Sequence, residues 1–110
     1  MTTHDLSPGR TVIVYLCAPR EKVWGILLSM QPAGITVRGL DIVVFDDWMR
    51  QQARGEDGGL GPSTIFYPMH RVERVEEDET MGPIESYADR FHRQVGQSVL
   101  EAAGIKFPES

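Results

Sequence analysis

Cysteine is almost absent from these 110 residues. Cys17 stands alone, so no internal disulfide can form. A domain of this length buries roughly two thirds of the surface its unfolded chain exposes, so it needs no covalent staple. Cys17 lies in an apolar run and is expected to be a buried, inert thiol. A single free cysteine suits a reducing cytoplasm. Histidine is scarce too: His4, His70 and His92 are the full set, and no two stand at a ligand spacing such as i, i+4. No metal or other cofactor is therefore expected.

Long apolar runs are missing as well. Nothing approaches the ~20 residues that cross a bilayer. The opening Met1–Arg10 is polar and lacks the apolar core of a secretory signal. The expectation is a cytoplasmic chain without membrane contact. No Gly-x-Ser-x-Gly elbow and no phosphate-cradling P-loop occur, and Cys17 and His70 are far apart in sequence. No enzymatic activity is expected.

Basic clusters are also lacking. The net charge is -5, from 11 Lys and Arg against 16 Asp and Glu. Through Gly55 there are six basic and five acidic residues; from Glu56 onward there are five and eleven. Non-specific nucleic-acid binding works by neutralising phosphates, so an acidic second half argues against it. A local basic rim in an oligomer remains compatible with this balance.

What the chain does contain is regular. Residues 1–10 read as a flexible arm with a Ser7-Pro8-Gly9 turn, and residues 11–110 as one domain. Thr11–Cys17 is rich in β-branched residues and predicts a strand. Ala18–Glu21 predicts a turn, because Pro19 lacks an N–H for a ladder. Lys22–Met30 predicts a second strand, with Gly25 marking a bend or a close approach. Ile35–Ile42 alternates at first, with Ile35 and Val37 facing one way and Thr36 and Arg38 the other.

From Phe45 the period changes. Phe45, Trp48, Met49 and Gln52 follow helical spacing, with Asp46-Asp47 in a first turn that suits the helix dipole. A short helix over about 46–54 is predicted, ending in the glycine-rich loop 55–63. The strand Thr64–Tyr67 and a strand from Val72 to Val75 follow. In the tail, Ile84, Tyr87, Phe91, Val95 and Val99 recur at spacings of three and four, predicting an amphipathic helix over about 84–103. Gly82-Pro83 is read as its start and Gly104 as its C′ residue. Five short strands with bend glycines argue for a small, highly curved barrel.

Three groups of side chains are candidates for chemistry or recognition. Glu76-Glu77-Asp78-Glu79 reads as a solvated turn, since no apolar frame surrounds it to shift a pKa, with weak divalent-cation binding as the lesser alternative. Trp24 and Trp48 read as core or interface anchors, and as hot spots if exposed. Pro68-Met69-His70-Arg71 interrupts an aromatic strand. There Pro68 marks an edge or bulge, while His70 reads as a structural histidine, as a ligand or RNA contact at a barrel edge, or as an oligomer contact. His92 reads as a solvated helix residue.

The stretch from Thr11 to Val75 resembles the Sm-like small barrels, and among them the bacterial Sm-like RNA chaperones of the Hfq type. In "VIVYLCAPREKVWGILLSMQPAGITV" the layout is strand, short turn, strand with a glycine, turn, strand, and Gly25 stands where that family has its bend glycine. The family's second motif centres on Tyr-Lys-His followed by alternating apolar residues. "YPMHRVERV" offers Tyr67 and His70, then Val72 and Val75. Met69 stands in place of the lysine, Tyr67 is one residue out of register with His70, and residues 46–63 replace a tight turn.

The resemblance implies a five-stranded SH3-like or Sm-like barrel that forms a homo-oligomer. It also implies contact with single-stranded RNA at an edge carrying Tyr67, His70 and Arg71, through stacking and phosphate pairing. The alternative is a protein-interaction or structural module that assembles through its sheet edges without nucleic acid.

Overall fold

The computed structural model describes residues 6–56 and 59–105 of the chain. Five strands form one antiparallel sheet: β1 (Thr11–Leu16), β2 (Glu21–Gln31), β3 (Gly34–Asp41), β4 (Ser63–Pro68) and β5 (Val72–Glu77). Their order across the sheet is β4-β3-β2-β1-β5. Among the described residues three α-helices accompany them: α1 (Phe45–Ala53), α2 (Tyr87–Val95) and α3 (Val99–Ala102). The mainly β class and the strand order along the chain agree with the sequence.

The sheet carries apolar residues on both faces. Val12, Val14 and Leu16 alternate along β1 and point to one side, where Val23, Leu27, Ile35 and Val37 join them. Trp24, Ile26 and Leu40 point to the other side, where Phe45, Trp48, Met49, Phe91 and Val99 cover them. Strand β2 serves both faces through its period of two, which is why its middle reads as an unbroken apolar run. Gly25 and Gly39 sit opposite each other in the β2–β3 register. A Cβ on Gly39 would lie 2.4 Å from the Trp24 carbonyl oxygen, so these strands approach too closely for any side chain there.

The sheet is not closed into the predicted barrel. Among the described residues β4 pairs with β3 and β5 with β1, and no ladder joins β4 to β5. A single 3₁₀ turn, Met69–Arg71, carries the chain from one edge to the other. Its backbone bonds run sideways: Met69 N–H donates to the Ala33 carbonyl at 2.9 Å, and Arg71 C=O accepts from Cys17 N–H at 2.8 Å. Groups used in this way cannot zip the two edges together, and Pro68 has no N–H to offer.

The predicted tail helix is two helices. Gly96 adopts φ 87°, the left-handed conformation that ends α2, and Ser98 caps α3 by accepting from Glu101 N–H at 3.1 Å. The start also moves: Ser86, not Gly82-Pro83, caps α2 by accepting from Asp89 N–H at 2.9 Å. Ile84 is off the helix altogether. It bridges Met81 across the Gly82-Pro83 turn and is 71% exposed.

Of the segment expected to be an arm, residues 1–5, including His4, lie outside the described residues. Gly9 N–H donates to the Leu27 carbonyl, Leu27 N–H donates to Arg10, and Leu6 packs on the aliphatic cluster. No helix among the described residues is long and apolar enough to cross a membrane.

Candidate functional site

The three predicted contact residues share a corner but not a surface. Tyr67 points inward, opposite Ile35, and packs on the aliphatic cluster. Burial, followed by the nearby Glu21 carboxylate, raises its phenol above the usual pKa. His70 is exposed on the 3₁₀ turn.

Arg71 turns back onto the β1–β2 turn. Its Nε donates to the Cys17 carbonyl at 3.1 Å and its Nη2 to the Pro19 carbonyl at 2.8 Å. Glu21 lies 3.7 Å from the same Nη2. The guanidinium thus satisfies carbonyls of a turn with a cis Ala18–Pro19 bond and Ala18 at φ 53°. Cys17, expected to be buried, is half-buried beside it, with Sγ 3.5 Å from the Arg71 carbonyl oxygen.

Most other arginines face carboxylates of the same chain. Arg90 meets Asp46 at 2.7 Å, Arg10 meets Glu77 at 3.1 Å, and Arg74 meets Glu76 at 3.3 Å while lying over the Tyr15 ring. Arg93 grips Glu85 with two bonds of 2.9 Å, which holds the Glu85 carboxyl below its usual pKa. Such exposed pairs add little stability, but they engage the cations that a phosphate backbone would need.

Asp78 overturns the solvated reading of the acidic run. It is 8% exposed and accepts three hydrogen bonds: from Trp24 Nε1 at 3.1 Å, Tyr87 N at 2.9 Å and Ala88 N at 3.0 Å. One carboxylate therefore caps α2 and fixes the indole at the centre of the aromatic face. Negative charge at a helix N-terminus is favourable, and three donors compensate its burial. Period-two counting along β5 does not find Asp78, because the strand ends one residue before it. Ser86-x-x-Asp89 has the spacing that marks a helix start, and that was the readable signal.

Trp24 and Trp48 are core residues, 0% and 1% exposed. His92 is exposed on α2, as expected. Among the described residues there is no concave pocket and no group of His, Cys, Asp or Glu arranged to hold a metal.

The open surface of interest is therefore an edge. Met69 N–H bonds Ala33, and the β3–β4 register pairs Tyr67 with Ile35 and Ile65 with Val37. Antiparallel ladders alternate, so residues 63, 65 and 67 bond β3. Thr64 and Phe66 turn their N–H and C=O groups to the outside. Phe66 is 54% exposed, and its ring lies over Gly34, where an added Cβ would sit 2.6 Å from Cζ. No residue of β4 is charged, whereas β5 carries Glu73, Arg74, Glu76 and Glu77. Comparison with family models, curated proteins and solved structures finds no match to this chain.

Proposed function

We propose that this chain is a protein-interaction module that works by strand addition at the β4 edge, without nucleic acid. The observation that carries the reading is the contrast between edges. β5 has the charges with which proteins blunt an edge, while β4 has none and sets a half-exposed phenylalanine beside its free backbone groups. Strand addition draws affinity from backbone bonds and specificity from alternate side chains, and β4 offers both.

The finer fold reading is a small barrel of SH3-like type that is open at the seam. Consecutive strands β1 to β4, followed by one 3₁₀ turn into a β5 that pairs with β1, support it. The free thiol of Cys17 fits a cytoplasmic, reducing setting.

The contact with single-stranded RNA expected at Tyr67, His70 and Arg71 draws less support. Two of the three side chains are engaged within the domain.

Thr64→Pro tests the reading cleanly. Proline removes an N–H that points outward and leaves the β3–β4 ladder intact. The expected result is loss of association, with itself or with a partner strand, at unchanged circular dichroism. Unchanged association overturns the reading. So does tight retention of short U-rich or A-rich RNA at low salt that is lost on His70→Ala plus Arg71→Ala.

A further inference from the structure

The β4 edge is complementary to itself. We propose that it pairs antiparallel with β4 of a second copy of this chain, about a two-fold axis at Ile65, making one continuous sheet across the dimer. The inference rests on the edge reading above and names its occupant.

A two-fold axis normal to the sheet keeps equivalent faces on the same side. Opposed residues must then share a face, so a residue can meet itself or one an even number of positions away. Two registers use the centre of β4. With Ile65 opposite itself, Thr64 meets Phe66 of the second copy. Each of these pairs has an outward N–H and C=O on both members, so all four donors and four acceptors of residues 64 and 66 are used. With Phe66 opposite itself, Thr64 meets Pro68, which has no N–H, and the Thr64 carbonyl is left without a donor. The hydrogen-bond inventory favours the axis at Ile65.

Charge favours the same partner. The whole chain carries -5, so two copies repel at long range. Between Ser63 and Pro68 no side chain is charged, and nothing repels across this axis. Pairing β5 with itself opposes an edge of three glutamates and one arginine to its own copy. On the exposed face Phe66 also stands directly opposite Thr64 of the second copy, and its ring, swung off Gly34, makes an aromatic–β-branched pair of a kind that is favourable across strands. Closed two-fold symmetry is the commonest outcome for such an isologous patch.

A single-cysteine variant separates this arrangement from every heterologous one. In a Cys17→Ser background, Ile65→Cys places two thiols across the axis in a non-hydrogen-bonded pair. The Cα separation there, about 4.5 Å, falls within disulfide range. The expected result under mild oxidation is a covalent dimer as the main species. Glu73→Cys on β5 in the same background should stay monomeric on a non-reducing gel.

Light scattering across a concentration series should give twice the chain mass for the unmodified protein, and a single chain mass for Thr64→Pro. A monomer at every concentration overturns the proposal, as does equal cross-linking from Glu73→Cys. If Thr64→Pro abolishes association but Ile65→Cys does not cross-link, the two-fold pairing fails and the edge reading stands. If neither substitution changes anything, both fail.

Discussion

The two faces of the sheet are built by different means. One is lined by Val12, Val14, Leu16, Val23, Leu27, Ile35 and Val37, small branched residues that meet one another as the sheet curves. The other is a stack of rings. Trp24 packs edge-on to Phe45 at 4.9 Å, Trp48 lies 4.6 Å from Phe91, and Phe45 meets Tyr87 at 5.1 Å. The aliphatic face is made almost entirely by strands. The aromatic face needs α1, α2 and α3 to come down on Trp24, and Asp78 ties α2 to that indole. Burial alone specifies the first, whereas the second also depends on a polar bond being made.

The contrast predicts unequal costs. Trp24→Ala should be the most damaging, at about 4 kcal/mol, because it opens a large cavity and takes one of its three donors from the buried Asp78 carboxylate. Urea denaturation followed by circular dichroism checks it. Asp78→Ala should cost about 3 kcal/mol, since it leaves three donors without an acceptor. Its signature is regional: amides of α2 should exchange faster while those of β1 to β3 keep their protection. Equal loss in both regions would break the comparison and make the faces one cooperative unit.

On the aliphatic side, Ile35→Val should cost about 1 kcal/mol, a methylene in a well-packed site. Ser98→Ala removes the cap of a four-residue helix and should cost roughly half a kcal/mol. The smallest effect is at Glu85. Its folded pKa is depressed by Arg93, so its contribution is present above the unfolded value and lost as pH falls through the folded one. An NMR titration should find its midpoint below that of a free glutamate, and Arg93→Ala should return it.

Legibility followed the same divide. Strands appeared in the sequence because β-branched runs end at Pro19, Pro32 and Gly34, and the alternation of Ile35 and Val37 gave the buried face directly. Helix α1 appeared through the spacing of Phe45, Trp48 and Met49. The tail misled because Ile84 sits at helical spacing before Tyr87, although Pro83 and Gly82 fold it into a turn. Asp78 was hidden because its indole partner is Trp24, 54 residues away in sequence. Arg71 was hidden likewise, since its carbonyl partners belong to a turn between two other strands. The openness of β4 rests on hydrogen-bond direction, which residue types do not encode. Its lack of charge was visible throughout.

The pairing of β1 with β5 has a consequence during synthesis. Val12 finds its partner in Glu77. At a translation rate of about 5–20 residues per second, β1 therefore waits roughly 3–13 seconds for that strand to be made. Until then the β1 edge of the apolar N-terminal strands is bare. The charged residues that later guard that edge are among the last of the sheet to leave the ribosome.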